Sequence, residues 1–423
     1  MEKKYNQSPK STKKKKYPEL TNLWIGLFVD ILGFYIIIPF LPSLVEYYNT
    51  TPFVIGALVA TNAVFSLFSA PIWGKLSDKW GRKPMLLIAE SGTCTAFLIL
   101  AFSNSLWLLF VARIVDGIFG GNFPITKAII TDRVPPRDRG LQMTNVGVVF
   151  TFAGLIAPAL GGFLYVTKIF GPTYPFALLG IVAASFSFIT ILITYFFITE
   201  SWPKSEREKV QKEIKIKIKL RKNKDALYLL TQYGLHSFSF MLYIITFVFF
   251  ISLILGLDVV GVAILLTISG ISRAIVRFTL FKPTLKKLGE KNMTILGLAI
   301  LVVAFFLTGI FGNFYPEIWV FIVLIVFVSY GVSCSRGILI SKTTQSVSPK
   351  EMGKINGYTT TLDSLAQVIG PLLGTFILQY YDPMLFGIVT GIAAFVALMM
   401  TFKKITPFMQ KAQFKQIVRK EQN

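Results

Sequence analysis

The chain has 423 residues and a formal net charge of +22, yet only 15% of it is charged and 53% is hydrophobic, with a mean hydropathy of +0.63. A soluble domain of this length carries more charge, which argues against a soluble enzyme and against nucleic-acid binding as the main role of the basic residues. Two cysteines, Cys94 and Cys334, and one histidine, His236, make no disulfide or zinc framework, and the absence of a GxxxxGK[ST] loop gives no sign of ATP use.

A polar, basic tail at 1–20 precedes the first apolar stretch. That stretch has no small-residue cleavage site and reads as a retained membrane span. A bilayer crossing takes about 20 apolar residues, and stretches of that order follow at 21–46, 53–74, 84–103, 106–131, 140–166 and 173–199. A basic linker at 200–225 separates these from 226–254, 257–281, 292–312, 316–343, 352–381 and 382–402, with a tail at 403–423. The expected fold is all-α, with twelve transmembrane helices in two pseudo-symmetric six-helix bundles, 21–199 and 226–402. Of the 43 Lys and Arg, Arg113, Lys127, Arg273, Arg277 and Arg336 lie inside apolar stretches. Lys168 falls on one side of this topology and all the others on the opposite side. Loops rich in Lys and Arg stay in the cytoplasm, so the expectation is a multi-pass cell-membrane protein with both termini cytoplasmic. The Lys13–Lys16 run and the 204–224 segment read as solvated or facing anionic membrane lipids.

Several residue groups stand out within this frame. The first stretch carries Asp30-Ile31-Leu32-Gly33-Phe34 and then Pro39-Phe40-Leu41-Pro42. The second and third are joined by Gly74-Lys75-Leu76-Ser77-Asp78-Lys79-Trp80-Gly81-Arg82-Lys83-Pro84, where glycine suits a tight connection and Asp78 can accept hydrogen bonds from Arg82. The fourth carries Arg113-Ile114-Val115-Asp116-Gly117 and ends at Asp132. The fifth carries Gly154-Leu155-Ile156-Ala157-Pro158-Ala159-Leu160-Gly161-Gly162, in which small residues allow close helix approach and proline removes a ladder hydrogen bond. The halves repeat: Val134 to Gly140 lies on Val347 to Gly353, and at the same offset Pro158 matches Pro371, Gly161 matches Gly374 and Phe163 matches Phe376. Duplication of this kind builds transporters whose substrate site lies near the midplane between the repeats.

The Gly74–Pro84 segment closely resembles the signature of the major facilitator superfamily, with Gly74, Asp78, Gly81 and Arg82 at matching positions; Phe281 to Lys291 holds the equivalent place in the second half and keeps only Gly289 and its basic character. The first, fourth and fifth spans resemble the drug/proton antiporter branch, tetracycline exporters above all. Ala157 stands where that branch has glycine, and Asp116 where it often has Gln or a small residue. The resemblance implies that Asp78, Arg82 and Asp132 form a cytoplasmic latch holding an outward-open state, and that Gly154, Ala157, Pro158, Gly161 and Gly162 form a helix-packing motif of exporters. It also implies a monomer.

At 1.5 Å rise per residue, Asp30 and Asp116 lie roughly 14 to 15 Å into their helices, near the middle of a core about 30 Å thick. Arg113 is one turn from Asp116. Two carboxylates and one guanidinium leave one acid over, and charged groups at such depth mark ion or proton paths. Asp30, Asp116 and Arg113 are therefore the expected proton-coupling group. Tyr35, Asn122, Tyr233, His236, Tyr358 and Asp363 are the candidate cavity residues. Snorkelling is the default for Lys127, Arg273, Arg277 and Arg336, and snorkelling or association with the latch for Glu90. The abundant phenylalanine would suit an apolar or aromatic substrate. The reading is an antiporter, coupled to protons or to another ion, that exports a small amphipathic molecule or drug, with no cofactor, metal or nucleic acid. A metabolite importer or facilitator on the same fold, and a transport-dead receptor, remain open alternatives.

Overall fold

The computed structural model of the protein describes residues 17, 19–167, 169–171, 176–203, 223–347 and 351–403. The Lys13–Lys16 run, Lys168, residues 204–222 of the 200–225 linker, residues 348–350 of the repeat and the tail beyond 403 lie outside the described residues. The regular elements within them are helices. In a bilayer every backbone polar group must be satisfied within the protein, and a helix does this inside one segment.

Helix α1 (Glu19–Tyr35) passes through a 3-10 turn at Ile38–Phe40 into α2 (Leu41–Tyr47). Pro39 and Pro42 lack the N–H of a continuous ladder, and the helix changes course there. Helices α3 (Pro52–Trp80) and α4 (Arg82–Ala101) meet at Gly81, whose φ of 107° only glycine adopts readily. Gly74, expected in the same tight connection, is helical, and the connection shrinks to one residue.

Helices α5 (Leu106–Ile118) and α6 (Asn122–Arg133) form one interrupted crossing. The break frees carbonyls that α3 recovers: Ser69 Oγ donates to Gly117 O at 2.7 Å and Trp73 Nε1 donates to Ile118 O at 2.7 Å. Then come α7 (Pro136–Val166) and α8 (Ala177–Phe197). The second set is α9 (Lys224–Leu255), α10 (Val259–Ile275), a π turn at Val276–Leu280, α11 (Phe281–Phe314), α12 (Ile318–Gln345), α13 (Met352–Tyr380) and α14 (Pro383–Met400). Asn223, Asp258 and Asp382 cap α9, α10 and α14, each accepting a backbone N–H of the first turn.

Eleven helical runs among the described residues are long and apolar enough to cross a membrane. The sequence suggested twelve, and the difference lies at 281–291, read as a loop but helical here. The run Val259–Phe314 has 56 residues, about 84 Å at helical rise, far more than one crossing. Gly289 (φ 72°, ψ 168°) breaks its axis, in nearly the conformation of Gly81 (φ 107°, ψ 157°).

Within the first set, α4 and α1 pack on α8, and α3 packs on α5. Within the second, α9 packs on α13 and α14, and α11 on α12 and α14. The two sets meet along α7–α10 and α3–α13. The second contact closes the end away from the basic connections. Phe53 N donates to Gln379 Oε1 at 3.1 Å, and the Phe53 and Phe376 rings lie 6.0 Å apart. A Cβ on Gly56 would stand 2.9 Å from Pro371 O. Much of the phenylalanine is core: Phe250, Phe305, Phe321 and Phe386 are each 0% exposed. They and Tyr243 form an aromatic stack between α9, α11, α12 and α14.

Candidate functional site

Three groups of polar residues interrupt the apolar interior. The first lies at the basic end of the first helix set. Arg82 begins α4 and is buried. Its Nε donates to Asp132 Oδ2 at 2.9 Å, and its Nη1 donates to Asp78 Oδ1 at 2.6 Å and to Ser77 Oγ at 2.8 Å. Ser201 Oγ donates to the same Asp132 oxygen at 3.1 Å, and the guanidinium lies 5.5 Å from the Trp202 ring centroid. Glu200 accepts the backbone N–H groups of Arg82 at 2.9 Å and Lys83 at 3.2 Å, placing an anion on the first turn of α4 where the helix dipole favours it. The sequence reading brought Asp78, Arg82 and Asp132 together and missed Ser77, Glu200, Ser201 and Trp202. The acid immediately after the sixth apolar stretch was the available signal. The cluster is complete while α3 and α13 are packed together at the opposite end.

The second group lies deep in the first set. Asn122, the first residue of α6, donates its Nδ2 to both oxygens of Asp30 at 3.1 and 3.2 Å and to Thr93 Oγ1 at 3.3 Å. The break in the fourth crossing places it there. Asp116 accepts from Asn62 Nδ2 at 2.8 Å and from Arg113 Nη1 at 3.4 Å. The sequence reading left one of the two acids without a cation; in the structure Arg113 pairs with Asp116, and Asp30 is the one left, held by an amide, with no ion pair to Asp30 among the described residues. Asn122, expected to line a substrate cavity, is instead Asp30's partner. Glu90 neither snorkels nor joins the first group: it is 3% exposed and accepts from Thr194 Oγ1 at 2.8 Å. Nothing but side-chain amides and hydroxyls marked Asn62, Thr93 and Thr194, and such residues are common in spans.

The third group lies where the helix sets meet. Asp363 on α13 accepts from Tyr233 Oη at 2.8 and 2.9 Å, from Ser237 Oγ, and from Arg336 Nη2 at 3.1 Å. Arg336 stacks towards Tyr233 and Phe240, with centroids 5.9 and 5.6 Å away. Lys127 on α6 reaches across to α13, donating to Thr360 Oγ1 at 3.1 Å, and sits 4.1 Å from the Phe123 centroid. These two cations are engaged inside the protein and do not snorkel. Tyr35 packs edge-on against Phe34 and Phe150 and lies within electrostatic range of Arg273 and Arg336. His236 does not line open space: it is 0% exposed and bonds Ser335 through Nε2 at 2.7 Å. Tyr233 is likewise buried beneath Asp363. Tyr358 is exposed and stands apart from these bonds.

The small-residue motif of α7 faces two ways. A Cβ on Gly161 would meet Ile36 O at 2.6 Å, and one on Gly162 would meet Ala263 at 2.8 Å. Ala157 is fully buried, Pro158 lies inside the helix, and Gly154 takes the close approach of Gly270. A Cβ on the matched Gly374 would overlap Thr246, so α7 beside the end of α1 and α13 on α9 use the same device. A cavity of about 50 Å³ beside Arg113 and Asn62 is otherwise apolar, lined by residues such as Phe34, Leu41 and Leu58. It is far smaller than the several hundred Å³ that a drug-sized ligand fills.

The chain matches the model of the Major Facilitator Superfamily over residues 23–365 and again over 230–418. It is 28% identical to the class H tetracycline resistance protein of Pasteurella multocida, over 83% of this chain and 87% of that protein. It is 31% identical to the multidrug resistance protein MdtG of Proteus mirabilis, over 44% of this chain and 46% of that one. Among solved structures it resembles a D-xylose-proton symporter, with a TM-score of 0.74 at 16% identity, covering 93% of this chain and 99% of the other.

Proposed function

The chain belongs to the Major Facilitator Superfamily, and from that premise we propose how its polar groups divide the work of moving a small molecule through a membrane. It is a multi-pass transporter and not an enzyme. In this reading it crosses the membrane twelve times, as two six-helix bundles at 21–199 and 226–402, with its basic end in the cytoplasm. It exports an amphipathic small molecule, as the tetracycline and multidrug resistance relatives suggest, and takes protons in exchange.

The observation that carries the proton-coupled reading is Asp30. A carboxylate at depth held by an amide and not by a cation can gain and lose a proton without breaking an ion pair. Asp116 and Arg113 form a pair beside it, and Arg82, Asp78 and Asp132 gate the cytoplasmic end. Access then alternates by rocking of the two bundles against each other, with the α3–α13 contact parting when the end away from the basic connections opens.

Uptake of tetracycline into vesicles with the basic end outward, under a pH gradient acidic inside, tests this. Uptake should follow the gradient in the unmodified protein and fall to the leak in Asp30→Asn, whose amide oxygen can still accept from Asn122. Full gradient-driven uptake in that variant removes Asp30 from the coupling role.

A further inference from the structure

We infer that the substrate carries an anionic group, received by Arg336, Lys127 and Arg273 where the two helix sets meet. The inference rests on the transporter reading above and adds the charge class of what is carried.

The local inventory is unbalanced. Arg336 on α12 pairs with Asp363, Lys127 on α6 reaches Thr360, one turn from Asp363 on α13, and Arg273 on α10 lies against Gly154 of α7. Asp363 already accepts from Tyr233, Ser237 and Arg336, and Lys127 and Arg273 have no ion pair among the described residues. Among the described residues Lys127 contacts a hydroxyl, that of Thr360, and a ring, that of Phe123. Arg336 Nη1 and Arg273 Nε are buried and lack any hydrogen-bond acceptor. A buried charged donor without an acceptor is costly, and a ligand oxyanion would relieve that cost. The planar fork of arginine suits a carboxylate or an enolate system.

The setting suits the rest of such a molecule. Tyr35 lies within range of both arginines. Its ring, Phe150 and Phe123 form a run of edge-to-face contacts at 6.4 and 5.8 Å. An apolar ring can lie against these faces while its anionic group meets the cations. The cations also span both helix sets, so an anion held among them engages both halves. Asp30 lies elsewhere, with Asn122 and Thr93, and proton and anion do not compete for the same atoms.

A thiol placed beside Lys127 reports the local potential whatever the natural substrate is. In the full-length protein with Cys94→Ser and Cys334→Ala, Thr360→Cys is labelled with two methanethiosulfonates, one bearing a sulfonate and one a trimethylammonium. The sulfonate-to-ammonium rate ratio should exceed that of a free thiol by about 10-fold, the order expected for two uncompensated charges at close range in a partly solvated site. It should fall in Lys127→Gln and in Arg336→Gln and persist in Arg336→Lys, which keeps the charge if loss of arginine perturbs folding. A ratio equal to or below that of the free thiol overturns the inference. In the vesicle assay, fluorescein and rhodamine 123 share a ring frame and differ in charge. Uptake of fluorescein, reduced in Lys127→Gln, supports the anion site. Uptake of rhodamine 123 alone, unchanged in Lys127→Gln, overturns it. A protein that favours the sulfonate reagent yet carries neither dye keeps its anion site, and the failure falls on the exporter reading.

Discussion

The two deep polar groups solve opposite problems. Around α1, α3, α4, α5 and α6 there is a surplus of carboxylate: among the described residues Asp116 has a guanidinium, while Asp30 has an amide and Glu90 a hydroxyl. Where α6, α10, α12 and α13 meet there is a surplus of cation: Asp363 is fully bonded, and Lys127 and Arg273 have no ion pair among the described residues. An uncompensated carboxylate is suited to a proton, and an uncompensated guanidinium to an anion, because each lacks only the opposite charge. Keeping the two apart in space lets one protein handle both without their neutralising each other. The α6 helix joins them, starting at Asn122 on Asp30 and carrying Lys127 on the other side of the divide.

The strongest way to break this contrast is at its acidic pole. Asp30→Asn should bring pH-gradient-driven uptake to background while the unfolding midpoint in detergent stays unchanged; Asp116→Asn should leave some coupling. Equal, complete losses in both would mean that the acids act as one unit and Asp30 holds no separate role.

At the cationic pole, Arg336→Met strands Asp363 among Tyr233 and Ser237. Its pair is about a quarter exposed on each side, so the cost should be about 1–3 kcal/mol, below that of a fully buried pair. Adding Asp363→Leu should recover most of it in thermal unfolding, because no unpaired charge remains. Asp116→Asn should cost about 1–2 kcal/mol, since Asn62 can still donate to the new side chain while Arg113 loses its counter-charge. A comparable loss for the Arg336→Met/Asp363→Leu pair would show that the cationic pole is a packing brace.

The smallest effect belongs to the surface cluster. Asp78 is 64% exposed and Asp132 10% exposed on the same arginine. Asp78→Asn should shift stability by about 0–1 kcal/mol, and Asp132→Asn by more. The reverse order would mean that Asp78 is shielded in another state of the transport cycle, which would strengthen its gating role.

Much of this was legible in the linear chain. Asp78 and Arg82 could be paired because one tight glycine connection carries both, and the resemblance to the superfamily signature added Asp132 to them. Asp30 and Asp116 could be placed at depth because helical rise converts residue number into distance. Their partners could not be read off. Arg113 is one turn from Asp116, and local spacing gave that pair; Asn122 reaches Asp30 only because the fourth crossing breaks at Phe119–Gly121. His236 looked like a cavity residue by depth alone, and only the packing of α9 on α12 shows it buried on Ser335.

Hydropathy, positive charge on one set of connections and the internal repeat determined that this chain is a helical, membrane-crossing transporter, because burial of apolar length in lipid is decided residue by residue along the chain. Which charges meet was decided only by tertiary structure. Arg336 with Asp363, and Lys127 with Thr360, depend on which faces of separate helices oppose one another. The same holds for how the helix sets meet: close approaches at residues such as Gly56, Gly162 and Gly270, where the absence of a side chain lets two helices lie near, fix the α3–α13 and α7–α10 contacts.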